Sequence, residues 1–139
     1  MQVKDVMTHG AECVRPDDTL FDAARKMRDL DVGPLPVCDN DRLAGMLTDR
    51  DIVVRCVAEG KDPRVAKVRE AMSEGICYCF EDDDVAEAAR QMKDRQIRRL
   101  VVLNRDKRLA GIVSLGDLAV ESGNEKLAGD TLEKVSQPA

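Results

Sequence analysis

The chain states one pattern twice. Residues 3–52 align with 68–118 when a single extra residue, Arg108, is allowed in the second copy. VKDVMTHG faces VREAMSEG, DDTLFDAARKMRDLDV faces DDDVAEAARQMKDRQI, and DRLAGMLTDRDI faces DKRLAGIVSLGDL. Seventeen of the 50 paired positions are identical, including Val3, Met7, Gly10, Ala23, Met27, Gly45 and Asp51. A unit this short cannot bury its apolar faces alone, so the two copies are expected to pack together.

Each copy carries the same succession of elements. Residues 12–15 and 76–80 read as short strands. Asp17, Asp18 and Thr19, and then Asp82, Asp83 and Asp84, supply helix N-caps and negative charge for a helix start. From there Leu20, Ala23, Ala24, Met27 and Leu30 follow helical spacing, as do Val85, Ala88, Ala89 and Met92. Two apolar runs joined by a polar turn, 35–38 with 43–48 and 100–103 with 109–114, read as hairpins. A second helix opens at Asp49 or Leu115. Each unit is therefore β-α-β-β-α, and the fold class is α/β, two such repeats packed as a pseudo-twofold pair. The expected organisation is repeat 1 at 1–60, a linker at 61–67, repeat 2 at 68–122 and a polar tail at 123–139. Met7 and Met72 read as core anchors ahead of each unit.

Both copies end on G-h-h-[ST]-x-x-D: Gly45 to Asp51, and Gly111 to Asp117. Taken as local chemistry, Thr48 with Asp51, and Ser114 with Asp117, read as capping boxes in which Asp replaces the usual Glu. Both groups also suit a ligand. A helix start presents N–H groups to a phosphate, and a carboxylate accepts two hydrogen bonds from a cis-diol. Cap and grip can coexist.

Val32, Gly33, Pro34, Leu35, Pro36 and Val37, in the pattern V-G-x-x-P-V, followed by the [ST]-x-x-D ending, resemble a cystathionine-β-synthase-type (CBS) domain pair, or Bateman module. The resemblance covers residues 3 to about 120. It implies a stand-alone, non-catalytic regulatory module. Its ligands would be adenosyl compounds such as AMP, ADP, ATP, NAD or S-adenosylmethionine, held in two clefts between the repeats. By this resemblance the first cleft would use Thr48, Asp51, Gly33, Leu35 and Pro36, with Asp51 on the ribose and Thr48 near phosphate; beside them the charge of Arg50 suits a charge-assisted contact to phosphate. The second would use Ser114 and Asp117, with Val101 in the place of Pro36, and Arg98 and Arg99 read either as contacts to phosphate or as a solvated pair at a strand entrance. The second copy replaces Gly33-Pro34 with Arg98-Arg99 and Pro36 with Val101, so the two clefts should differ. The resemblance also implies a homodimer, and a protein partner that reads ligand-dependent packing.

Composition narrows the rival readings. The net charge is −5, and aromatics make up 2% of the chain with no Trp. Nucleic acid and an anionic membrane surface both attract basic faces, so neither is the expected partner. The start of the chain has no apolar core of a signal peptide and no run long enough for a membrane span, which points to the cytoplasm. Five cysteines, an odd number without a C-x-x-C, do not describe a disulfide framework or a zinc ribbon. Cys77 and Cys79 alternate onto one strand face with no histidine near, so no metal site is expected. Cys13 and Cys38 fall on strands that β-α-β topology makes neighbours. They stand either as two reduced core thiols or as a bridge. The rival functions are a nucleotide-free interaction or stress protein with this fold, and a thiol-redox protein using Cys13 and Cys38. His9 is the only histidine, and no glycine-rich phosphate loop appears, so no catalytic constellation is available.

Overall fold

The computed structural model describes residues 1–121 and 123–138. In order, its elements are β1 (Thr8–His9), α1 (Leu20–Leu30), β2 (Pro34–Asp39), β3 (Arg42–Thr48), α2 (Asp49–Ile52), β4 (Tyr78–Phe80), α3 (Val85–Arg95), β5 (Arg99–Leu103), β6 (Leu109–Ser114), α4 (Leu115–Glu121) and α5 (Glu125–Ser136). One π-helical turn, Val53–Val57, continues α2. The fold is mixed α/β and built from two repeats, as the duplication predicts.

The repeats agree in detail because their local chemistry agrees. Thr19 caps α1 by accepting from the Asp22 N–H at 3.1 Å, and Asp84 caps α3 by accepting from Ala86 N–H at 2.8 Å. Both helices end on a left-handed residue at the same place, Asp31 at φ 54° and Gln96 at φ 51°. In the hairpins Pro34 stands opposite Thr48, and Arg99 opposite Ser114. Each hairpin carries a bulge at the matching step, between Val37 and Cys38 and between Val102 and Leu103. The first hairpin is tighter than the expected four-residue turn. Asn40 and Asp41, at φ 51° and 68°, close it, and pairing extends out to Asp39 and Arg42.

The chain forms two compact units, 12–76 and 1–11 with 77–139. Each unit takes the body of one repeat and the leading segment of the other. In the unit holding residues 77–139, Val3 N–H donates to Asp83 O at 2.8 Å, Lys4 N–H to Glu81 O at 2.9 Å, and Val85 N–H to Met1 O at 3.0 Å. In the unit 12–76 the matching bonds run from Val68 N–H to Asp18 O at 2.8 Å, Arg69 N–H to Pro16 O at 3.0 Å, and Leu20 N–H to Ala66 O at 3.0 Å. Val3, Val6 and Met7 are buried with Ala88, Met92, Leu100 and Leu118. Val68 and Ala71 are buried with Leu20, Leu35 and Leu47. A fully buried Leu contributes about 1.5–3 kcal/mol relative to exposure, so these aliphatic clusters carry the fold in place of aromatics.

The sheets repeat this plan. One unit has a four-stranded sheet in the order β1-β6-β5-β4, with β4 parallel to β5. In the other, β2 and β3 pair, flanked by single bridges from Val14 to Val37 and from Ser73 to Met46. Residues 12–15 are thus one bridge and not the strand expected. Proline explains the difference. Glu81 extends the second copy's pairing by donating its N–H to Leu103 O at 2.9 Å, and its counterpart Pro16 has no N–H to give. The expected polar tail is also structured. α5 runs 12 residues, buries Ala128 and Thr131, and packs Leu127 and Val135 on the second repeat's core.

Candidate functional site

The strand-to-helix turns at Thr48 and Ser114 are built alike. Thr48 Oγ1 accepts from Asp51 N–H at 3.1 Å, and Asp51 Oδ2 accepts from Thr48 N–H at 2.9 Å. In the second copy Asp117 N–H donates to Ser114 Oγ at 3.0 Å, and Ser114 N–H to Asp117 Oδ2 at 2.8 Å. Both pairs are reciprocal capping boxes, so the local reading of the motif is a real part of the structure. The box engages Oδ2 of each Asp. All four side chains are half-buried, which leaves the turns open to a small molecule.

The turns reach back to the residue before the hairpin. Asp49 N–H donates to Gly33 O at 3.1 Å, and Leu115 N–H to Arg98 O at 2.8 Å. In the first copy this brings Gly33, Pro34, Thr48 and Asp51 together, with Arg50 exposed on the turn. Leu35 and Pro36 lie one and two pairs further along β2 and are buried, Leu35 inside the aliphatic core. In the second copy Arg98 and Arg99 are exposed beside Ser114 and Asp117, and Val101 is buried between Tyr78 and Ile112.

Gly45 and Gly111, which open the shared motif, answer to packing. A Cβ at Gly45 would stand 2.8 Å from Ser73 O and 3.0 Å from Met72 Sδ. A Cβ at Gly111 would overlap Thr8 O outright. Each glycine lets a leading segment cross the motif's strand, a role the sequence reading did not assign. Asp49 was also missed. Its carboxylate covers Gly33, with Oδ1 3.0 Å from where a Cβ would be, and it accepts Arg50 N–H at 3.1 Å.

Cys13 and Cys38 are neighbours, as the topology suggests, but the structure holds both as free thiols and shows no bridge. Burial first, then Cys13 and Asp41, pushes the Cys38 thiol from 9.0 up to about 12. Burial and two nearby acids, Asp83 and Glu87, push Cys79 to about 12 as well. An open groove of about 260 Å³ lies along α1 between Glu12, Asp22, Arg25, Lys26, Asp29 and Leu30, and shares no residue with either turn. Among the described residues no group of three or more His, Cys, Asp or Glu side chains is placed to hold a metal ion, and no helix is long and apolar enough to cross a membrane.

Two bodies of one topology, each closing a hairpin on a Ser/Thr–Asp capping box, define a tandem-repeat α/β protein. The model of the CBS domain family matches both copies, residues 3–57 and 68–123, and the chain belongs to that family. Among curated relatives, hypoxic response protein 1 of Mycobacterium tuberculosis is 43% identical over 117 residues, spanning 84% of this chain and 81% of the relative. The CBS domain-containing protein YhcV of Bacillus subtilis is 40% identical over 134 residues, 96% of this chain and 94% of YhcV. Solved structures give the same fold. Hypoxic response protein I, crystallised with two coordinated zinc ions, aligns at a TM-score of 0.78 and 42% identity over 86% of this chain and 97% of its own. CBSX2 in complex with AMP aligns at 0.72 and 27% identity over 85% and 93%.

Proposed function

We propose that this chain is a non-catalytic regulatory module that binds adenosyl ligands at the Thr48–Asp51 and Ser114–Asp117 turns. The observation that carries the reading is the repetition of one half-buried hydroxyl–carboxylate pair, in one register, in both copies. A capping box needs only some Ser/Thr and acid, whereas the repeat keeps Asp both times, the shorter acid that is less suited to capping. The CBSX2 complex with AMP supports the adenosyl class. Asp51 and Asp117 would take the ribose hydroxyls through Oδ1, with Thr48 and Ser114 beside the 5′ substituent. Gly33, Leu35 and Pro36, with Arg50, complete the first site, and Arg98, Arg99 and Val101 the second. Ligand binding would favour one packing state over another, which a protein partner reads as a population shift.

The module would work in the cytoplasm as a homodimer. Five thiols fit a reducing compartment. Val53, Val54 and Val57, 57%, 43% and 60% exposed, offer an apolar helical face for a second copy. Light scattering that reports a monomer at micromolar concentration would remove the dimer from the proposal. The thiol-redox alternative has less support, because a Cys38 thiol at about 12 is protonated and unreactive at neutral pH.

The experiment is mass spectrometry of the heat-denatured supernatant, followed by calorimetric titration with AMP, ATP, NAD and S-adenosylmethionine. A co-purified adenosyl compound, or a saturable heat with any of the four, supports the reading. No heat with any of them would leave a nucleotide-free interaction protein.

A further inference from the structure

We infer that Asp49 is a selectivity residue, an internal anion that bars phosphate from the first site and reserves phosphorylated ligands for the second. The inference rests on the adenosyl-binding reading above and concerns which adenosyl ligand each turn accepts.

In the first turn every early N–H is already bonded within the protein. Asp49 N–H is taken by Gly33 O at 3.1 Å, Arg50 N–H by Asp49 Oδ1 at 3.1 Å, and Asp51 N–H by Thr48 Oγ1 at 3.1 Å. The Arg50 N–H is the informative one. Its acceptor is a carboxylate folded back over the bare face of Gly33, which puts negative charge on the first turn of the helix. A phosphate brought there would lose that donor and meet Asp49 at close range, where like charges repel.

The second turn has the opposite character. Leu115 replaces Asp49 and is buried, so no carboxylate stands at the first helical position. The counterpart of the Arg50 N–H, that of Gly116, has no side-chain acceptor among the described residues, and a Cβ at Gly116 would meet only Ser114 Oγ at 3.5 Å. Arg98 and Arg99 stand exposed where the first copy has Gly33 and Pro34. The first turn, with Asp49, Arg50 and Asp51, carries two acids and one base, net −1. The second, with Arg98, Arg99 and Asp117, carries two bases and one acid, net +1. Guanidinium groups are suited to phosphate oxygens. The first site therefore takes an adenosyl group whose 5′ substituent is neutral or cationic, as in S-adenosylmethionine, and the second takes AMP and longer phosphates.

The test is calorimetry with AMP and with S-adenosylmethionine on the wild type, Asp49→Ala, Asp49→Asn and Asp117→Ala, with circular dichroism to verify folding. Asp49 is exposed, and Asp49→Asn keeps an acceptor for Arg50 N–H while removing the charge. The wild type should bind one AMP, lost in Asp117→Ala, and Asp49→Ala should bind a second. AMP affinity at the first turn should rise by about tenfold or more in Asp49→Ala and by less in Asp49→Asn. Two equal AMP sites in the wild type, unchanged by either Asp49 variant, would overturn the inference while leaving the adenosyl reading in place. Binding of neither ligand to any variant would overturn the adenosyl reading, and the inference with it.

Discussion

Single residues carry opposite demands at positions that look alike in the sequence. Gly111 and Gly129 are both glycines in regular elements, yet a Cβ at Gly111 would overlap Thr8 O and one at Gly129 would meet nothing within 4 Å. Gly111→Ala should therefore destabilise by about 2 kcal/mol or more, through overpacking against backbone. Gly129→Ala should stabilise by about 0.5–1 kcal/mol, through the helix preference of Ala. Urea denaturation of the two variants checks this, and shifts of the same sign would contradict it. The buried thiols give a pH effect. Cys38 and Cys79 titrate near 12 when folded against 9.0 as the ordinary value. The folded state holds its protons longer than the unfolded one, so their contribution to stability is complete below pH 9 and is lost as pH climbs toward 12. Replacing both by Ala should flatten the fall in denaturation midpoint across that window, and an undiminished slope would place its origin elsewhere.

Elements were legible in the sequence to the extent that their chemistry is local. α1 and α3, with their caps and apolar spacing, and both hairpins stand where the pattern puts them, because Thr19, Asp84 and the turn residues act within a few positions of themselves. The polar tail has room for a short helix, but the packing of α5 on the core is not legible in its sequence. Its fully buried residue is Thr131, whose hydroxyl donates to Leu127 O at 2.6 Å, so its inner face does not look apolar. Yet Leu127 and Val135 pack on the core built by α3 and α4, and Lys93 pairs with Asp130 at 3.2 Å. Ending the chain after Gly123 should lower the thermal midpoint by several degrees and speed amide exchange in α3 and α4. An unchanged melt would mean that α5 adds nothing to the fold. At the turns, the hydroxyl–carboxylate pairs were visible as a motif, but the backward fold of Asp49 was not. Residue identity gives its charge and says nothing of which N–H the carboxylate meets.

The whole molecule is organised by exchange, which periodicity alone does not reveal. The V-x-x-[VA]-M leaders read as buried, but their pattern does not say in which body. Val3 lies fully buried with the second repeat's core, and Val68 with the first's. Val3→Ala and Val68→Ala should each cost about 2 kcal/mol, and each lesion should appear in the repeat to which the residue does not belong by sequence. Native-state hydrogen exchange resolves this. Faster exchange within 77–121 for Val3→Ala and within 12–57 for Val68→Ala is expected, and the reverse pattern would contradict the exchange. Membership of the CBS domain family and the duplicated Ser/Thr–Asp turns support the proposal of a ligand-reading module. That proposal is tested most directly by titrating AMP into the wild type and into the Asp51→Ala, Asp117→Ala double variant. Saturable binding in the wild type that is weakened ~100-fold or lost in a folded double variant is the predicted result, and the same affinity in both proteins would contradict the assignment of these carboxylates to the ribose.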